Sequence, residues 1–387
     1  MGKGSMRMKT QVVINATIYT GEEVLRTGFI RYTNHIEELG LMADYVPQKS
    51  EIIYDAKGKI IIPGMIDVHI HGGYDIDAMD ANSDALVTLG KEMLQEGVTT
   101  FFPTTMTQAP EAIEAALVAA KEAKEKGAHF EYIHLEGPYV SKKRAGAQPI
   151  EHIVPADIEQ FKKWQEMSGD LIKLVTYAPE EEGAEQFEAY LSETGVVGTM
   201  GHTDATDEQL KGRNITHATH LYNQMRGLHH REPGVVGHVL LNPDVMVEVI
   251  TDGIHIHPDM VKMAYKLKGA KKVSVITDAM RAKGLAEGLY ELGGQPVHVK
   301  DGSARLEDGT LAGSILTMDE ALRNVIAFTG CSIEEAVLMT SVNQAEEFGL
   351  VNKGALKVGK DADFVIMSED LHVNDTVRLG IHMKEGK

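Results

Sequence analysis

Between residues 60 and 280, short apolar runs alternate with helical stretches, and this alternation restricts the fold more than any other feature of the chain. The strand candidates are 60–70, 97–104, 130–136, 171–177, 196–202, 214–220, 246–251 and 273–278. Strands separated by helices build βα units, whose strands run parallel in one sheet. The helical stretches are clearest at 109–126, where Ala, Glu and Lys dominate. Eight such units predict an α/β fold, the (β/α)8 TIM-type barrel, with its chemistry at the C-terminal rim of the strands.

The chain ends carry a different pattern. Residues 1–59 hold short strand-like pieces (Gln-Val-Val-Ile-Asn-Ala-Thr-Ile-Tyr, Gly-Phe-Ile-Arg-Tyr and Glu-Ile-Ile-Tyr-Asp) separated by polar turns, and 355–367 look similar. Both lie outside the barrel pattern, so the two ends are expected to meet in one small β-sandwich domain of residues 1–60 and 348–387, leaving 61–347 to the barrel. The first residues are basic, and Met6 and Met8 are alternative starts.

The last residues of the predicted strands share a chemistry. The first strand ends in His69 and His71, the third in Glu136, the fifth in His202, the sixth in His220 and the eighth in Asp278. In a strand, residues two apart point to the same face, so His69 and His71 project together. Imidazole and carboxylate donors without thiolate suit Zn²⁺, Fe²⁺ or Mn²⁺. A single rim histidine is as well explained by capping a loop; six such residues at strand ends are not. His134 shares parity with Glu136 and is expected beside the ligands rather than among them. His217, three residues before His220, is expected on the opposite face as a packing residue.

Bulk properties narrow the partners. With 57 Asp and Glu against 38 Lys and Arg, the net charge is −19, which argues against nucleic acid and anionic membranes. A small anionic substrate remains allowed if local cations or a metal meet it. No apolar run approaches the roughly 18–20 residues of a membrane span. The single cysteine, Cys331, cannot form an internal disulfide and is expected to be a buried or half-buried, inert thiol in a cytoplasmic protein.

Several segments together resemble the amidohydrolase superfamily, and within it the deacetylases of N-acetylated amino-sugar 6-phosphates. They are Pro-Gly-Met-Ile-Asp-Val-His-Ile-His-Gly (63–72), His-Leu-Glu-Gly-Pro-Tyr (134–139), Gly-His-Thr-Asp-Ala (201–205), Thr-His-Leu-Tyr-Asn-Gln-Met (219–225), His-His-Arg-Glu-Pro-Gly (229–234), Asp-Gly-Ile-His (252–255), Thr-Asp-Ala-Met (277–280) and Leu-Ala-Gly-Ser-Ile-Leu-Thr-Met (311–318). The first and Thr-Asp-Ala-Met belong to the superfamily at large, whereas the Glu-Gly-Pro, Thr-His-Leu-Tyr-Asn and Arg-Glu-Pro-Gly segments are more specific.

The resemblance implies one divalent metal on Glu136, His202 and His220, and a second position at His69 and His71. Some members lack that histidine pair and work with one metal. It also implies that Asp278, ligand or proton carrier or both, serves hydrolysis of an N-acetyl amide. His255 would hold substrate near the scissile carbonyl, with His257 as a competitor for that role. Asn223, Gln224 and Arg231 would bind the phosphorylated amino sugar, Gln224 standing where the family usually has Ala. Arg231 would reach the site of a partner subunit in a homodimer; a surface pair with Glu232 is its bland alternative. The galacto epimer of the substrate, a cyclic-imide or adenine hydrolase, and a non-catalytic scaffold on the same barrel are the competing readings.

Overall fold

The structure, a computed structural model, describes residues 9–385; the alternative starts Met6 and Met8 lie outside them. Eight parallel strands form the barrel: β1 (Met65–Ile70), β2 (Val98–Pro103), β3 (Ile133–Glu136), β4 (Ile172–Tyr177), β5 (Val197–Met200), β6 (His217–Ala218), β7 (Met246–Ile250) and β8 (Val273–Ile276). Strands β3 to β8 form one continuous parallel ladder in sequence order, and β1 pairs with β2. The ring closes at both seams. Thr104 bridges His134 beyond the end of β2, and beyond β8 the Asp278 N–H donates to His69 O while the His71 N–H donates to Ala279 O, both at 2.9 Å.

Helices return the chain between strands. The run at 109–126 forms the helix Pro110–Glu125, opened by a proline whose missing N–H costs nothing at that position. It buries Ile113, Ala116, Leu117, Ala120 and Ala123, a stripe at helical spacing, and leaves its charges outside. Cys331 is buried, as expected.

The predicted first strand, 60–70, is two strands. Ile60–Pro63 joins the sheet of the chain ends, pairing with Gln11–Tyr19 and Phe364–Met367, and the barrel strand starts only at Met65. An uninterrupted apolar run carries no mark of this change of partner. That sheet comprises Gln11–Tyr19, Val24–Tyr32, Ile36–Leu41, Ile52–Asp55, Ile60–Pro63, Phe364–Met367, Val373–Arg378 and Ile381–His382. It is one hydrogen-bonded sheet that forks: the first half of Gln11–Tyr19 pairs with Ile52–Asp55 and the second half with Ile60–Pro63. Both prongs turn side chains into one apolar cluster, including Val13, Ile18, Ile30, Tyr32, Ile61 and Phe364.

The chain divides into two compact units. One holds the residues up to Ile66, Met93–Thr99 and those from Ser332 onward; the other holds Asp67–Glu92 and Thr100–Cys331. This division differs from cuts at 60/61 and 347/348, because the starts of β1 and β2 and the helices after Ser332 group with the chain-end sheet. The second unit also contains an antiparallel three-stranded piece, Gly288–Leu292, Gln295–Lys300 and Ser303–Arg305, that the alternation of βα units does not anticipate.

Candidate metal centre and active site

His69 lies within β1 and His71 just after it, Glu136 ends β3, and His202, His220 and Asp278 each lie two residues past their strands. All six are nearly or fully buried. Those past the strands adopt left-handed backbone: φ is +47° at His202, +29° at His220 and +48° at Asp278. Residues with a Cβ avoid this region, which costs each about 1–3 kcal/mol. Hydrogen bonds on both sides hold the conformation. His202 O accepts from Ser141 N–H, Asp278 O accepts from Ser314 N–H, and the His220 N–H donates to the buried carboxylate of Glu248. Gly201 permits the close approach, because a Cβ there would lie 2.7 Å from Thr219 Cβ.

The turned backbones aim the donors at one point. Glu136 Oε1 lies 3.1 Å from His220 Nε2, 3.2 Å from His202 Nε2 and 3.5 Å from His69 Nε2. Its other oxygen lies 3.1 Å from His71 Nε2, which is 3.2 Å from Asp278 Oδ1. Two adjacent donor groups result, Glu136, His202 and His220, and His69, His71 and Asp278, and a third set, His69, His134 and Glu248, shares His69 with the second.

A divalent cation fits these donors on three grounds. His71 Nδ1 and His202 Nδ1 face the backbone carbonyls of Thr104 and Arg144, which only accept, so each Nδ1 keeps its hydrogen and each Nε2 faces the cluster. His69 Nε2 is buried without a hydrogen-bond partner. The Nε2 atoms of His202 and His220 stand 3.1 Å apart, a spacing at which only one proton can lie between them. Burial opposes charge on His71, but Asp278 and Glu136 raise its pKa to about 10. Burial pushes Asp278 up, yet His69 and His71 more than offset it and hold its carboxyl below the usual range.

The cluster forms part of a cavity of about 300 Å³ whose wall includes Asn223, Gln224, His255, Leu292, Arg305, Thr310 and Leu311. His255 is steadied by Asp252, whose Oδ2 lies 2.6 Å from its Nδ1. His257 takes no part: it is exposed, and its Nδ1 accepts from Asp259 N–H at the start of the helix Pro258–Lys268. Arg231 does not line this cavity either. It sits on an exposed turn beside His230, and Glu232 accepts from the N–H groups of Asp207 and Gly234 rather than pairing with it.

Residues 60–381 match the amidohydrolase family. The chain belongs to that family. Among curated relatives, it is 48% identical over 332 residues to the N-acetylglucosamine-6-phosphate deacetylase of Lysinibacillus sphaericus, covering 84% of this chain and 86% of that one. The corresponding Bacillus subtilis enzyme is 45% identical over 380 residues, 95% of this chain and 96% of the relative. Among solved structures, an N-acetyl-D-glucosamine-6-phosphate deacetylase variant from Mycobacterium smegmatis, in complex with N-acetyl-D-glucosamine-6-phosphate, superposes with a TM-score of 0.91 at 30% identity, covering 97% of this chain and 99% of that one.

Three features of this amidohydrolase escape sequence reasoning. His217 does not pack on the outside of the barrel: it is fully buried, and its Nε2 lies 3.1 Å from Glu248 Oε1. Parity fails because β6 ends at Ala218 and the chain turns left-handed at His220. Glu248 itself, fully buried in β7, lies 2.9 Å from His69 Nδ1 through Oε2. A lone carboxylate inside Met-Val-Glu-Val-Ile was the available signal, since a buried charge demands partners. Arg305 reaches the cavity wall from the antiparallel insertion, and nothing local in Ser-Ala-Arg-Leu announces that.

Proposed function

We propose that this amidohydrolase hydrolyses the acetamide of N-acetyl-D-glucosamine 6-phosphate, giving acetate and D-glucosamine 6-phosphate. The observation that carries the reading is a cavity of about 300 Å³ lined by buried imidazoles and carboxylates together with an arginine, Arg305. The likeness to a chain solved with that sugar phosphate supports it.

The residues divide the work. Glu136, His202 and His220 hold one divalent metal, and His69, His71 and Asp278 a second, with zinc, iron or manganese matching the nitrogen and oxygen donors. Such a cation supplies Lewis-acid polarisation of a carbonyl and makes water acidic near neutral pH. Asp278, ionised and at the cluster's edge, accepts the proton of the attacking water and returns it to the departing amine. His255, fixed through Nδ1 by Asp252, lines the cavity and positions the substrate beside the scissile amide. Asn223 and Gln224 line the sugar's path, and the extra length of Gln224 over Ala narrows it.

Phosphate needs a cation, and among the described residues Arg305 is the only lysine or arginine lining this cavity. Arg305 Nη1 donates to Gly309 O and Nε to Ser303 Oγ, which pre-orients the guanidinium. Arg231, exposed and off this cavity, serves the cavity of a second copy in a homodimer. Charged sugar phosphates do not cross a bilayer unaided, which supports a cytoplasmic place of action.

Purified protein with defined metal, incubated with phosphorylated and unphosphorylated N-acetylglucosamine and N-acetylgalactosamine, is expected to release acetate fastest from N-acetylglucosamine 6-phosphate. No release from any hexosamine 6-phosphate overturns the reading.

A further inference from the structure

The strand β7 carries a carboxylate where a barrel normally places an apolar or neutral side chain. Glu248 is fully buried, and both of its oxygens are engaged. Oε2 lies 2.9 Å from His69 Nδ1 and accepts the backbone N–H of His220 at 3.0 Å; Oε1 lies 3.1 Å from His217 Nε2. One side chain therefore touches a residue of each donor group.

These contacts differ in what they do. An ionised carboxylate only accepts, so its bond to His69 keeps the hydrogen on Nδ1 and turns Nε2 inward. That Nε2 lies 3.4 Å from Asp278 Oδ1 and has no hydrogen-bond partner of its own. His71 and His202 are oriented by backbone carbonyls, which no side-chain change removes. Among these ligands, His69 alone depends on a replaceable carboxylate for its orientation.

We propose that Glu248 is the positioning residue that makes the His69, His71 and Asp278 group a working metal position, acting through His69. The inference rests on the two-position reading given above. It separates the two positions energetically, because replacing Glu248 by Gln keeps an oxygen that accepts from both His69 Nδ1–H and His220 N–H. Only the charge is lost, and with it the basicity that the carboxylate lends to His69; the amide's NH₂ would face His217, whose other tautomer accepts.

The test is a metal titration of metal-depleted full-length protein with Zn²⁺, bound metal being counted by elemental analysis in chelator-buffered solution. Wild type is expected to take two equivalents. Glu248→Gln is expected to bind the first as wild type does and the second about 10- to 100-fold more weakly. In a His69→Gln background, adding Glu248→Gln should cause no further loss, an outcome a merely structural role would not produce. Glu248→Asp, which keeps the charge but withdraws it by one methylene from both His69 Nδ1 and the His220 N–H, is the second variant and should weaken the second equivalent as well, together with the first. A second equivalent bound at wild-type affinity by either folded variant overturns the role of Glu248, as does an additive loss in the His69→Gln background. A wild-type protein that binds one equivalent at every concentration overturns the two-position reading, and this proposal with it.

Discussion

The two donor groups share one cluster but are built differently. His69 and His71 come from a single strand end and need only the two-residue period of a strand to point together. Glu136, His202 and His220 come from three separate strands, and both histidines reach the centre through left-handed backbone past the strand ends. One group is assembled by local geometry; the other is assembled by closure of the barrel. The lesson is that local legibility and functional weight are different properties. On the function proposed above, the pair that is easiest to read belongs to the second metal position and not to the Glu136, His202 and His220 group.

Substitutions can break this comparison, and the largest effect is expected at the residue facing both groups' chemistry. Asp278→Asn should lower kcat by about 10²- to 10⁴-fold, the usual range for a lost proton carrier, with metal still bound by elemental analysis. Full activity would remove the proton-carrying role.

Next in size comes the contrast between groups. Glu136→Gln touches His69, His71, His202 and His220 and should empty both positions, measured as bound metal after dialysis. The double change His69→Asn, His71→Asn should lose one equivalent and leave measurable turnover. Equal metal loss in the two proteins would erase the distinction.

Metal binding should also depend on pH. In the metal-free chain, burial opposes a proton on His71, but Asp278 and Glu136 hold it to a pKa of about 10. A cation must displace that proton, so binding releases it and apparent affinity rises with pH up to about 10. Calorimetry in buffers of different ionisation enthalpy reads the release directly; no proton release would contradict it.

The smallest expected effect lies at the cavity wall, away from both groups. Arg305→Ala should raise KM for the phosphorylated sugar roughly 10- to 100-fold, the worth of about 1.5–3 kcal/mol for a hydrogen bond to a charged group, with kcat little changed. An unchanged KM would remove Arg305 from phosphate recognition.

Much of this molecule is legible without coordinates. The eight strands, the helix after β2, the meeting of the chain ends in one sheet, and the rim residues all follow from apolar runs, their spacing and the ends of the strands. What fails does so for identifiable reasons. The run 60–70 hides a change of sheet at Gly64, because both strands are buried and apolar. His217 is misplaced because parity holds only while the strand lasts. The insertion carrying Arg305 has an ordinary hairpin pattern, and nothing in it names the cavity as its neighbour.

The sequence by itself determined the barrel, the donor types and the near-coincidence of His69 with His71, because these depend on periodicities of two and of 3.6 residues within one segment. Only the tertiary structure decided that His202, His220 and Asp278 turn inward, that Glu248 holds His69 and the His220 backbone at once, and that Arg305 rather than Arg231 faces this chain's cavity. Those outcomes depend on atoms brought together from distant segments, and on left-handed backbone that is tolerated only because the closed barrel supplies its hydrogen bonds.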